Sequence, residues 1–249
     1  MANENLLEQQ DDTVFPQPEP EAELSPVKTN GTGVWRLVLL GVALIVIFIL
    51  LYPFLKSQSA PATEPAQTQP TITAPESTAQ ANPDSAQAQF ELGNAYVRTG
   101  EWAKAVEAYK KTIELDPNYQ TAYANLGVVY YQQGQFDLAV SQYEKALELD
   151  PNDGEVAYNL GALYLQQALA TGGAPDMTLL DQAIAQLQHV QELNPDLAEP
   201  YFGLGVAYTV LERRDEAIQA FESFLARDTG QDPRASQEAQ RYLQNLHGE

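Results

Sequence analysis

The sequence contains no cysteine. Disulfide bridges, thiolate metal sites and cysteine nucleophiles are thereby excluded. Histidine is nearly as scarce: the chain has two, His189 and His247, too few for a histidine-rich zinc site. Positive charge is also in short supply. Thirteen Lys and Arg face 34 Asp and Glu, a net charge of −21. Phosphate recognition needs a basic face, so nucleic acid is not an expected partner. The same charge favours solubility and neutral or basic partners. Catalytic signatures are missing as well. There is no phosphate loop, dinucleotide-binding glycine pattern, Gly-x-Ser-x-Gly elbow or His-Glu-x-x-His pair. Nothing in the sequence points to an enzyme, a small-molecule substrate, a cofactor or a metal.

What is present begins with an apolar run. From Leu37 to Leu55 there are 19 residues without a charge. At ~1.5 Å per helical residue they would extend about 28 Å, close to the ~30 Å hydrocarbon core of a bilayer. Trp35 and Tyr52 stand near its ends as interfacial aromatics do, and Arg36 and Lys56 bracket it. The segment 34–56 is therefore expected to be a transmembrane helix. A cleaved signal peptide fits less well, because the preceding 33 residues carry seven acidic residues and one cation, Lys28. Lys28 and Arg36 on one side, against Lys56 on the other, favour a cytoplasmic N-terminus and a C-terminal domain outside the cytoplasm. Residues 1–33 are acidic and aperiodic, and are expected to be a disordered tail. Residues 57–83, rich in Pro, Ala, Thr, Gln and Ser, read as a disordered linker spanning roughly 30 Å as a coil.

The remainder, 84–249, repeats itself. Leu92-Gly93, Leu126-Gly127, Leu160-Gly161 and Leu204-Gly205 recur at spacings of 34, 34 and 44 residues. Three residues after each Gly comes Tyr96, Tyr130, Tyr164 or Tyr208. Ala105, Ala139, Ala183 and Ala217 then mark the start of a second helix, and Pro117, Pro151 and Pro195 close three of the units. Each element has a mechanical reason. The small residues let two helices approach closely and the Tyr fills space between them. Gly100 and Gly134 supply a left-handed residue at the end of the first helix. Proline cannot continue the second helix and so enforces a turn. Gln89, Thr112, Val190, Phe224 and Thr229 depart from the pattern. The third unit is longer by ten residues around Thr171–Pro175, which implies two lengthened helices and a longer loop.

This register resembles the tetratricopeptide repeat family, whose period is 34 residues. The resemblance implies an all-α fold: a right-handed superhelix of four helix pairs at about 86–119, 120–153, 154–197 and 198–231. A capping helix at 233–247 would cover the last pair, with Ala239, Tyr242, Leu243 and Leu246 inward. It also implies that the first helix of each pair lines a concave groove for partner proteins. Phe90, Asn94, Asn125, Val128, Tyr131, Tyr158, Asn159 and Phe202 are the expected groove residues. The asparagines can both donate and accept to a peptide backbone, and the aromatics can anchor side chains. Some members of the family clamp C-terminal carboxylates with two asparagines and several cations. Here Asn94 and Asn125 match, whereas Phe90, Glu155 and Asn159 stand where cations would. A neutral or basic extended peptide or helix is thus the expected partner, and carboxylate tails are disfavoured. The layout suggests a membrane-anchored scaffold, for example in envelope assembly or quality control. The alternative is a permanent structural subunit of a larger membrane complex.

Overall fold

The computed structural model describes residues 72–170, 172–230 and 233–248. The expected tail, the apolar run and most of the expected linker lie outside the described residues. Among the described residues no helix is long and apolar enough to cross a membrane.

Ten helices and no strand occur among the described residues. They are α1 (Thr73–Ala81), α2 (Ala86–Thr99), α3 (Trp102–Leu115), α4 (Gln120–Gln132) and α5 (Phe136–Leu149). Then follow α6 (Gly154–Leu169), α7 (Met177–Leu193), α8 (Glu199–Val210), α9 (Arg214–Arg227) and α10 (Pro233–His247). Four antiparallel pairs, α2/α3, α4/α5, α6/α7 and α8/α9, stack in chain order into an all-α solenoid, and α10 packs on α9. Gly100 and Gly134 turn the chain between the helices of the first two pairs with φ of 76° and 72°, left-handed values that cost glycine little. In the fourth pair the non-glycine residue Glu212 takes this place, with φ 57°.

The glycines of the repeat set the spacing within each pair. A Cβ on Gly93 would stand 2.6 Å from the ring of Tyr109. One on Gly127 would meet Tyr143 at 2.7 Å, and one on Gly205 would meet Phe221 at 2.7 Å. The second helix thus presses an aromatic ring flat onto the first. In the enlarged third unit Leu187 does this work against Gly161, and it also lies against Gly203 of α8 in the next unit. That unit has the longest helices, of 16 and 17 residues. Asp153 caps α6 by accepting from the amides of Glu155 and Val156, and Asp176 caps α7 likewise. The acidic turn around Asp150–Glu155 is therefore a helix entry, and no group of ligands able to hold a metal occurs among the described residues.

The linker expectation is corrected at 73–81, where α1 stands. Its register explains why. Pro83 lies 34 residues before Pro117 and follows Asn82, just as Pro117 follows Asp116. The helix thus occupies the place of the second helix of a preceding, incomplete unit. One contact confirms it. The Tyr96 hydroxyl donates to Glu76, 20 residues earlier, at 2.8 Å. Tyr164 repeats this with Glu144 at 2.6 Å, and the Tyr208 hydroxyl accepts from Gln188 at 3.1 Å, again 20 residues apart. In the second unit Lys110 lies 5.8 Å from the Tyr130 ring centroid. Each repeat tyrosine therefore fastens its helix to the unit before it, and Tyr96 needs α1 to do so. Gln89, one of the residues that depart from the pattern, reaches the Pro83 carbonyl at 3.4 Å, as Tyr201 reaches that of Pro195 at 3.2 Å. Both side chains tie a unit to the turn before it.

The far end is closed as the repeat register implied. Ala235, Ala239 and Tyr242 are buried, and Leu243 and Leu246 pack against the core. The Tyr242 ring stacks on Phe221 at 4.8 Å.

Candidate functional site

The first helices of the first three units, α2, α4 and α6, turn one face toward a groove of about 460 Å³. Five of the eight expected residues line it together: Asn94 from α2, Asn125, Val128 and Tyr131 from α4, and Asn159 from α6. Val97, Arg98, Trp102, Val129, Gln132, Tyr109, Tyr143 and Glu155 complete the lining. Floor and wall are thus mainly apolar and aromatic, with asparagines set at intervals. Arg98 and Glu155, the charged lining residues, have no ion-pair partner among the described residues.

Three expected residues stand elsewhere. Phe90 is half-buried between units one and two, its ring 4.9 Å from that of Tyr119 and 5.8 Å from that of Tyr109. Tyr158 is buried, and its hydroxyl has no hydrogen-bond partner. Phe202 is 2% exposed and packs edge-on against Phe221 and Phe224. It is a core residue of the fourth unit, so its expected role as a groove anchor is corrected. The reason is visible in the sequence: the bulky Phe224 stands where a small residue is usual and draws Phe202 inward.

Two side chains of the second helices were missed in the search for groove residues. Tyr109 and Tyr143 belong to α3 and α5, yet they reach the groove because Gly93 and Gly127 leave room for their rings. Trp102 was missed as well, as it opens α3 rather than lying on a first helix. A tryptophan beside the left-handed Gly100, at the groove's end, was the available signal.

The polar floor has a definite order. The Tyr109 hydroxyl donates to Asn94 Oδ1 at 2.7 Å, and Asn125 Nδ2 donates to the same oxygen at 3.0 Å. This closed triangle consumes the Asn94 carbonyl and fixes both amide planes. It leaves the Asn94 NH2 group and the Asn125 carbonyl free to meet a ligand, one donating and one accepting, as an extended backbone requires. Tyr131 is held by its hydroxyl bond to Gln166 at 3.2 Å and by its contact with Phe136 at 5.5 Å. Burial pushes the ionisation of Tyr131 up to about 12 and that of Tyr109 higher still. Both hydroxyls are neutral donors at physiological pH.

The triangle makes a stability prediction. Tyr109→Phe removes the bond donated to the Asn94 carbonyl and the long one accepted from Asn125 at 3.5 Å, and is expected to cost about 1 kcal/mol. Tyr143 sits on Gly127 as Tyr109 sits on Gly93, but its hydroxyl makes no hydrogen bond among the described residues. Tyr143→Phe is therefore expected to leave stability unchanged or slightly raised. Paired urea unfolding curves of the two variants test this, and equal losses would contradict the bonding described.

Comparison with known proteins agrees with this architecture. A "TPR repeat" family model matches residues 93–134. Three "tetratricopeptide repeat" models match 121–153, 142–175 and 176–233. No curated protein matches the chain. Among solved structures, MamA is similar at a TM-score of 0.56 and 24% identity, over 68% of this chain and 89% of that one. MamA from Desulfovibrio magneticus RS-1 (residues 41 to the end) aligns at 0.52 and 23% identity, over 65% and 85% of the two chains. YrrB, described as a repeat protein with an unusual peptide-binding site, aligns at 0.56 and 22% identity, over 72% and 95%. At these identities the likeness speaks to the fold. The matched family models together run from residue 93 to residue 233, more than half of the 249 residues, and on them the chain belongs to the tetratricopeptide repeat family.

Proposed function

We propose that this protein is a membrane-anchored scaffold that holds extended or helical segments of partner proteins in the groove of its repeat array. The observation that carries the reading is the groove itself. It is preformed, about 460 Å³ in volume, mainly apolar on its walls, and furnished with asparagine groups whose remaining hydrogen-bond capacity meets no partner among the described residues. Such a surface suits a backbone and its side chains rather than a reaction centre. The peptide-binding site named for YrrB supports the same use of the fold. The apolar run at 37–55 would hold the array at a membrane, with the N-terminus in the cytoplasm and the array on the opposite side.

Two measurements test this reading. A photo-crosslinking residue in place of Val128, in the groove, is expected to capture proteins in cells. The same residue in place of Glu107, which is exposed on α3 and does not line the groove, is expected to capture far fewer. Equal capture from both would remove the groove from the proposal. For orientation, the absence of cysteine makes Ser77→Cys a clean reporter, because Ser77 is exposed on α1. Labelling by an impermeant maleimide in intact cells is expected. Labelling only after lysis would place the array in the cytoplasm.

A further inference from the structure

The two layers of the groove floor are built alike but finished differently. Tyr109 and Tyr143 stand 34 residues apart and press their rings on Gly93 and Gly127 with nearly the same contacts, 2.6 and 2.7 Å to a Cβ placed there. In the first layer the hydroxyl meets Asn94. In the second layer the residue 34 positions after Asn94 is Val128, which offers no acceptor. Asn159 corresponds in the same way to Asn125, yet it has no amide to bond across the layer. Tyr143 is 2% exposed and Asn159 is 7% exposed, and both line the groove. Neither side chain makes a hydrogen bond among the described residues. The fully enclosed polar side-chain atoms without a partner among the described residues are the Tyr158 and Tyr242 hydroxyls; the polar atoms of Tyr143 and Asn159 instead open on the groove, where a bound segment can take their hydrogen bonds in place of water. Burial holds the Tyr143 phenol well above its ordinary ionisation range, so it stays a neutral hydroxyl able to donate to an acceptor.

The nearest charge fixes the chemistry of the rest. Glu155, in the first turn of α6, lines the same groove and is close enough to Tyr143 to oppose its ionisation. It is exposed and carries no ion pair among the described residues. The groove's cation, Arg98, stands at the last turn of α2, with α4 between it and α6. An anionic group entering the second layer would meet Glu155 before any cation. A cationic group would meet its complement, within a chain whose net charge of −21 already attracts it.

We propose that this second layer is a specificity subsite, resting on the groove reading above. The Tyr143 hydroxyl and the Asn159 amide take a main-chain carbonyl and amide of the bound segment, and Glu155 takes an adjoining Lys or Arg side chain. The partner class is thus an extended segment with a basic residue at one defined position. Val128 keeps the subsite vacant, because an asparagine there would close a second triangle and consume the tyrosine hydroxyl.

The test uses the full chain in detergent and pools of short extended peptides with acetylated and amidated ends. One position at a time is fixed as Lys, Arg, Gln or Glu. The wild type is expected to retain Lys and Arg pools over Gln pools about threefold to fivefold at one position, the size of an exposed ion pair. Glu155→Gln is expected to abolish that preference. Tyr143→Phe should weaken every retained pool about fivefold without altering the preference, as loss of one hydrogen bond does. Val128→Asn should weaken them similarly while raising the melting temperature, which separates occlusion of the subsite from misfolding. A basic preference that survives Glu155→Gln overturns the proposal, and so does Tyr143→Phe binding at wild-type strength. Retention without any charge preference overturns the subsite and leaves the groove reading standing. Retention of no pool overturns both.

Discussion

Phe221→Ala is expected to cost about 3–5 kcal/mol, the range for truncating a buried aromatic that leaves a cavity. Phe221 is fully buried and holds three things at once. Its ring lies against Gly205 of its own pair. It meets Phe202 edge-on at 5.6 Å and stacks under the capping Tyr242 at 4.8 Å. No small movement of one helix can refill the space, since the ring touches α8 on one side and α10 on the other. At ~2–4 °C per kcal/mol for a domain of this size, the melting temperature should fall by about 10 °C or more. The loss should also be uneven. In a solenoid each unit is stabilised by its neighbours alone, so the fourth pair and the cap should melt before the rest. Trp102 reports on the first pair. In a Trp35→Phe background its fluorescence transition is expected to move little, while the helical circular dichroism signal acquires an early phase. A single coincident transition, shifted as a whole, would show that the array is more cooperative than its contacts imply.

The residues that made the array legible in the sequence are those with a fixed mechanical task. Gly93, Gly127 and Gly205 had to be small because an aromatic ring lies on each, and the recurring small residue fixed the register. The same register placed Asn94, Asn125, Val128, Tyr131 and Asn159 on one face. It failed where a unit departs from the pattern. Phe202 shares a column with Phe90, but Phe224 opposite it is too large for the usual packing, so the side chain went into the core. The helix α1 was illegible for a different reason. Its sequence buries only Ala79 fully and begins with a proline in its first turn, so composition alone reads it as linker. It is held as a helix by its neighbour, through Ile72 and Ala79 in the packing and the bond from Tyr96 to Glu76. Only Asn82-Pro83, in register with Asp116-Pro117, disclosed it. Tertiary contact here overrides local preference.

That dependence on one small residue per pair leads to the second large effect, at Gly205. An alanine there would gain up to ~1 kcal/mol from helix propensity. Its Cβ, however, would lie 2.7–2.8 Å from three atoms of the Phe221 ring. The ring cannot slide, being packed between Phe202 and Tyr242, so the strain should stay near the top of the ~1–3 kcal/mol range for overpacking. The expected net loss for Gly205→Ala is about 2 kcal/mol. Gly127→Ala should lose less, because the Tyr143 hydroxyl is unbonded and its ring can tilt toward the groove. Gly154→Ala, where the nearest atom is Leu193 at 3.7 Å, should be neutral or gain about 0.5 kcal/mol. The decisive comparison is the double variant Gly205→Ala with Phe221→Leu. Leucine is what the third pair places against its own glycine, Leu187 against Gly161, and it would vacate the space that the new methyl needs. Residues in such contact do not act independently. The double variant is therefore expected to be more stable than the sum of the two single losses by about 1 kcal/mol or more in urea unfolding. Strict additivity would mean that the ring and the glycine are not in the contact that spaces the helices of each pair.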